Sequence, residues 1–184
     1  MKKIGLFGGI SWTSSIDYYK LINEGVNAKL GGLNLSECII YSIHFGGIYT
    51  QSWDDSFDLI LNACESLKQA GAEILALCAN TAHLYADRFQ LAINLLVIDM
   101  VSETAKTINK SGLKKIGLLG AKFTMQMNFY RLKLESFGLE VNVPEKKESR
   151  DYIQFTLREE LGVGYINPIT KERYGTNLEL RTKS

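Results

Sequence analysis

Cys78-Ala79-Asn80-Thr81-Ala82-His83 puts a thiol, two side chains that donate hydrogen bonds and an imidazole within six residues. A thiolate can act as base or nucleophile, and a helix start with positive charge nearby lowers a thiol's pKa from its free value of about 8.5. Asn80 and Thr81 are suited to hold a carboxylate, and a helix N-terminus adds backbone N–H groups for the same anion. A cysteine behind an apolar strand is ordinarily a packing residue. The Asn-Thr pair and His83 directly after it turn this one toward a site. A second polar turn is Gly8-Gly9-Ile10-Ser11-Trp12-Thr13-Ser14-Ser15. Its glycines permit a sharp bend and close backbone approach. It lacks the Gly-Lys-Ser/Thr of a phosphate loop and the full G-x-G-x-x-G, so phosphate binding has little support. A small anion near Ser11 fits it, and a plain strand-to-helix turn fits it equally well.

The surrounding pattern says how these residues are positioned. Ile74 to Leu77 is a short apolar run after Gly71, which reads as a buried parallel strand with Cys78 at its end. In an open α/β sheet that edge is where ligands bind. Lys3 to Phe7 is a first strand feeding the glycine turn. A helix follows from about Ser15 to Leu30, with Ile16, Tyr19, Ile22 and Val26 on one face. Glu37 to Ile43 is a second strand, with Cys38 in its core and His44 and Phe45 leaving at the edge of Cys78. The loop 46–54, with Gln51 and Trp53, has the length and polarity of a flap over a pocket, and a plain surface loop is the alternative. Phe57, Ile60, Leu61, Cys64 and Leu67 stripe a helix from about Asp55 to Ala70, so Cys64 is structural. A short helix from about His83 to Phe89, a strand Leu95 to Ile98 and a helix Val101 to Lys110 complete the first stretch.

The chain has 184 residues, 46% of them hydrophobic and 22% charged, which is ordinary for a soluble globular protein. A net charge of +1 gives no electrostatic case for nucleic acid or an anionic membrane. No apolar stretch is long enough to span a bilayer, and the N-terminus reads as a strand rather than a signal peptide. The three cysteines, Cys38, Cys64 and Cys78, are odd in number and have no C-x-x-C spacing. A disulfide framework or metal site is disfavoured, which fits a reducing cytoplasm. With His44 and His83 the only histidines, a zinc site would need unusual ligands.

Lys2-Lys3-Ile4-Gly5-Leu6-Phe7-Gly8 recurs as Lys114-Lys115-Ile116-Gly117-Leu118-Leu119-Gly120, with six of seven positions identical at an offset of 112. A helix from about Thr124 to Phe137, a strand Glu140 to Val143 and a helix Glu148 to Leu161 follow the second copy. A duplicated unit of this kind predicts an α/β fold of two similar parallel-sheet lobes related by pseudo-symmetry, residues 1–100 and 101–184, with a pocket between them. A counterpart of Cys78 in the second lobe would fall near residue 190, beyond Ser184, so the second lobe reads as incomplete.

Gly8-Gly9-Ile10-Ser11-Trp12, Cys78-Ala79-Asn80-Thr81-Ala82-His83 and Gly120-Ala121-Lys122-Phe123-Thr124-Met125 together resemble the aspartate/glutamate racemase family over roughly residues 1–174. The resemblance implies an active site in a cleft between two lobes, no cofactor, an acidic amino acid as the small-molecule partner and a possible homodimer. It implies two thiols, one from each lobe, on opposite faces of the substrate's α-carbon. Inversion needs a base on one face and an acid on the other, with fixed donors stabilising the carbanion. By resemblance Cys78 is the first thiol, Asn80 and Thr81 hold the α-carboxylate with Thr124, and Ile10, Ser11 and Gln51 line the pocket. His83 supports the thiol from behind.

The departures are the lack of a Gly-Cys-Thr-Glu stretch for the second thiol, Ala121 in place of Thr, His44 in place of Asp, and Ile10 and Thr13 in place of Met and Glu. The expectation is therefore a racemase impaired by the missing thiol. The alternative is a carboxylate- or amino-acid-binding remnant of the same fold without turnover.

Overall fold

The computed structural model describes residues 1–46 and 56–176; Gln51 and Trp53 lie outside them. The chain divides into two compact units between Asp99 and Met100.

The first unit runs β1 (Ile4–Gly8), α1 (Trp12–Leu30), β2 (Cys38–Ser42), α2 (Ser56–Gln69), β3 (Ile74–Leu77), a 3-10 turn (Thr81–Tyr85), α3 (Ala86–Ile93) and β4 (Leu96–Ile98). Its four strands are all parallel, in the order β2-β1-β3-β4, with Leu6 opposite Ile40 on one side and Ala76 on the other. The chain leaves β1 to one side for β2 and returns to the other for β3. The gap between β1 and β3 is therefore the switch point, where an open parallel sheet has a crevice beyond its carboxyl ends.

Alternation along the strands sorts side chains onto two faces. Phe7, Leu75 and Leu77 join Ile60, Cys64, Leu67 and Phe89 beneath α2 and α3. Leu6, Ala76 and Cys78 join Tyr18, Ile22 and Ile98 on the face covered by α1. The stripe expected for α1 is shifted. Ile16 and Tyr19 are 52% and 45% exposed, and Ser15 is the buried residue. Ser15, Tyr18 and Ile22 face the sheet instead, because the Ser15 hydroxyl is tied into the glycine turn. The helix expected over His83 to Phe89 is a 3-10 turn followed by α3, which ends on Asn94 in the left-handed region at φ 51°.

The second unit runs α4 (Met100–Lys110), β5 (Lys115–Gly117), α5 (Lys122–Gln126), α6 (Asn128–Glu135), β6 (Glu140–Asn142), α7 (Lys147–Glu159), a 3-10 turn (Leu161–Val163) and α8 (Pro168–Thr176). β5 and β6 pair in parallel. Val101, Ala105, Leu118, Tyr130, Leu134 and Leu139 form its core. The single helix expected over Thr124 to Phe137 is two, broken where Met127 takes an extended backbone. The break lets Thr124 and Met125 turn inward while Met127 stays exposed. Glu160 closes α7 and accepts hydrogen bonds from Asn167 Nδ2 at 2.9 Å and Thr170 Oγ1 at 3.1 Å, which anchors the start of α8. No helix among the described residues is long and apolar enough to cross a membrane.

Candidate functional site

Two backbone hydrogen bonds and several close contacts bring separate segments to one level at the switch point. The Cys78 N–H donates to the Phe7 carbonyl at 2.8 Å, extending the β1–β3 ladder one residue past β3. The Ile43 N–H donates to the Gly8 carbonyl at 3.0 Å, doing the same for β1 and β2. The turn after β1, the exit of β2 and the Cys78 turn therefore share the carboxyl edge of the sheet.

The glycine turn works only without side chains. Gly9 has φ +91°, and a Cβ there would lie 2.5 Å from the Ile43 nitrogen and 2.6 Å from its oxygen. A Cβ on Gly8 would lie 2.3 Å from Ser15 Oγ and 4.0 Å from the Cys78 Cβ. Two glycines thus let the chain pass between the β2 exit and the first turn of α1.

The hydroxyls of this turn are bonded to one another and to the backbone. Ser11 Oγ and Thr13 Oγ1 are 2.6 Å apart. Ser15 Oγ accepts from the Gly9 N–H at 3.0 Å and donates to the Ser11 carbonyl at 3.1 Å. Ser14 Oγ is within bonding distance of the Ser11 and Cys78 carbonyls, at 2.9 and 3.0 Å. Ser14 therefore joins the start of α1 to the cysteine turn across the switch point. The sequence reading did not single it out. Its signal was a Ser-Ser pair in the first turn of a helix that follows two glycines.

Cys78 is 1% exposed, packed with Leu6, Ala76 and Ile98. Burial pushes its thiol up to about 12, so it is protonated at neutral pH. That is opposite in direction to the lowering a helix start would give. The strand runs straight into the 3-10 turn, and the apolar neighbours outweigh any dipole there. Asn80 is exposed and its side chain makes no capping bond to the turn, so its amide faces outward. Thr81 is buried beside it.

His83 is buried behind the turn, with Nδ1 3.0 Å from the Ala79 carbonyl. A carbonyl only accepts, so Nδ1 carries the proton. Burial lowers the imidazole's pKa, opposed by the Ala79 carbonyl, Asp99 and the carbonyls of Asn80 and Ile98. His83 thus ties the cysteine turn to the end of β4.

The first unit gathers Ile10, Ser11, Cys78, Asn80, Thr81 and His83 at one edge. Ile10 is partly buried against the core beneath α2. Thr124 is buried in the second unit, in α5. There the α5 start is held by the Gln154 side chain, which accepts from the Lys122 N–H at 2.7 Å. Lys122 is ion-paired with Asp151, whose carboxyl is held down at about 2 by Lys122 and Lys147.

A parallel α/β sheet with a cysteine turn at its switch point defines the class of protein. Residues 7–161 match the profile of the Asp/Glu/Hydantoin racemase family, and the chain belongs to that family. A candidate Asp/Glu racemase from Yersinia pestis has a similar structure, with TM-score 0.81 and 40% identity over 95% of this chain and 77% of that one. An aspartate racemase homologue from Pyrococcus horikoshii OT3 gives 0.76 and 36%, over 97% and 83%. The chain is 33% identical over 88 residues to a broad specificity amino-acid racemase of Bacillus subtilis (strain 168). That match spans 48% of this chain and 38% of the relative's length.

Proposed function

We propose that this chain binds an amino acid at the carboxyl edge of its first sheet and moves the proton on its α-carbon through Cys78. The observation that supports this best is the position of Cys78 at the β1–β3 switch point, with its N–H bonded to Phe7 and its carbonyl to Ser14. Asn80 and Thr81, with Thr124 of the second unit, are the proposed donors to the α-carboxylate. Ile10, Ser11 and Gln51 are the proposed pocket lining, with His83 fixing the turn. The names of the relatives bring aspartate and glutamate as the first substrates to try. Donors to an α-carboxylate are indifferent to the side chain, so they do not choose among amino acids.

In this reading Cys78 serves one face of the α-carbon. Deprotonation makes a carbanion, and the same sulfur returns a proton to the face it came from. The 184 residues by themselves thus exchange the α-proton of one enantiomer with solvent, and inversion requires a second acid on the other face. The test is incorporation of deuterium at the α-carbon in D2O, followed separately for each enantiomer. Exchange confined to one enantiomer and lost in Cys78→Ser is the expected result. Equal uptake by both, or net inversion, rules out the one-thiol account.

A second reading is binding without turnover, favoured by the burial of Cys78 and its thiol's high pKa. It expects Cys78→Ser to keep the ligand and neither protein to exchange deuterium.

A further inference from the structure

α1 carries a second apolar face besides the one that meets the sheet. Ser15, Tyr18 and Ile22 face the sheet. About a quarter turn away, at about 100° per residue, Trp12, Ile16, Tyr19, Asn23, Val26 and Leu30 follow at spacings of four, three, four, three and four. That alternation averages about 3.5 residues and is the pattern of a seam between two paired helices. It runs the whole length of α1. Trp12 and Leu30 at its ends are 54% and 59% exposed, Ile16 and Tyr19 are exposed between them, and Val26 is half-buried. Asn23, the polar member, already has partners. Its Oδ1 accepts from the Ser36 N–H and hydroxyl, both at 2.9 Å, and its Nδ2 donates to the Tyr19 carbonyl at 2.8 Å. Covering Asn23 therefore costs little. Ser36 lies two residues before β2, so this bond sets the stripe on the β2 side of α1.

The spacing is self-complementary. Two copies of α1 related by a two-fold axis at the level of Leu21 run antiparallel. They bring Trp12 opposite Leu30, Ile16 opposite Val26 and Tyr19 opposite Asn23. A larger side chain meets a smaller one at each level, which fills a seam without voids or clashes. A parallel pair would instead set Trp12 on Trp12 and Tyr19 on Tyr19. Lys20 and Glu24 are 3.8 Å apart beside the stripe. In the antiparallel pair each comes within about one turn of its opposite on the other helix, so the flanking charges are complementary. A helix roughly 28 Å long, paired over its full length with these flanking residues, covers about 1,000 Å² in all, the lower bound for a specific contact between two proteins.

We propose that this outer face of α1 is the contact surface for a second copy of the chain, packed as an antiparallel helix pair. Ile16 and Val26 meet across the axis at two levels, and Trp12 and Leu30 close the two ends. An area at the low end of specific interfaces makes a dimer that comes apart on dilution into the micromolar range. The inference is independent of the α-proton-transfer reading, because no member of the stripe belongs to that site.

The test is sedimentation velocity of the full chain, diluted from about 100 μM to about 1 μM to bracket a micromolar Kd. The parent is expected to be dimeric at the upper end. Ile16→Glu and Val26→Lys each put a charge in the seam and should weaken the dimer about tenfold or more. Mixed in equal amounts, these two variants should pair again. The antiparallel register sets the two new charges against each other and leaves one native contact between Ile16 and Val26. Leu21→Glu changes an exposed leucine on the opposite side of α1 and should leave the dimer as it was. Circular dichroism and urea midpoints check that each variant folds. Should a seam variant fail to fold, Leu30→Glu at the last residue of α1 takes its place, with the same loss expected. A parent that stays monomeric throughout overturns the proposal. So does a dimer untouched by the seam substitutions, one lost as readily in Leu21→Glu, or a pair of folded seam variants that stay apart when mixed.

Discussion

At the scale of single residues, the role proposed for Cys78 makes the state of its sulfur set how α-proton exchange depends on pH. A thiol held up to about 12 supplies little base at neutral pH. In the proposed role the thiolate is the base, and below the pKa its population grows about tenfold for each pH unit. Deuterium exchange should therefore climb with that slope from pH 7 toward 10, with no plateau near the ordinary thiol value. A plateau near 8.5 would mean that ligand binding lowers the pKa of the thiol. The motif around Cys78 was readable from the sequence because an apolar run, a thiol and two donors follow one another without a gap. The direction of the thiol's pKa was not readable. It depends on Leu6, Ala76 and Ile98, which come from three separate strands.

At the scale of elements, the turn after β1 holds the edge together. Gly9→Ala would force a side chain into the left-handed region and against the Ile43 backbone. It should lower stability by about 2–3 kcal/mol, read as a shift in urea midpoint without a change of slope. The backbone of Ile43 cannot step aside without breaking its bond to Gly8, which is why the cost is high. Several elements were legible in the pattern of residues. The strands and α2 followed from apolar runs and a regular stripe. The inward face of α1 was found only in part: Ile22 packs against the sheet as expected, while a buried serine set the rotation that leaves Ile16 and Tyr19 outside. The break at Met127 left no mark either, because Met127, Tyr130 and Leu134 keep helical spacing across it.

At the scale of the whole molecule, the two buried thiols make the fold sensitive to alkali. Cys64, on the buried face of α2, is also pushed up to about 12, chiefly by burial. Both pKa values are raised above that of an unfolded chain, so the folded state binds these protons more tightly. Their contribution is fully present below about pH 9 and is lost as the pH rises toward 12, by about 1.4 kcal/mol per pH unit for each thiol. Lysines and tyrosines titrate in the same range, so the informative quantity is the difference between parent and variant. Cys64→Ala should lose stability with pH more gently than the parent by the slope of one thiol, measured as urea midpoints from pH 8 to 10.5. An unchanged slope would mean that Cys64 reaches water in the folded state.

The three sulfurs also differ in how far they are sealed, and that makes them a built-in gauge of opening. Cys38 is half-buried at the start of an outer strand, 3.0 Å from the Ser36 hydroxyl, while Cys64 and Cys78 are closed in on opposite faces of one sheet. Iodoacetamide should modify Cys38 first. If Cys78 is alkylated next while Cys64 stays intact, the crevice breathes without melting the interior, and an amino acid that slows that one alkylation has entered beside the sulfur.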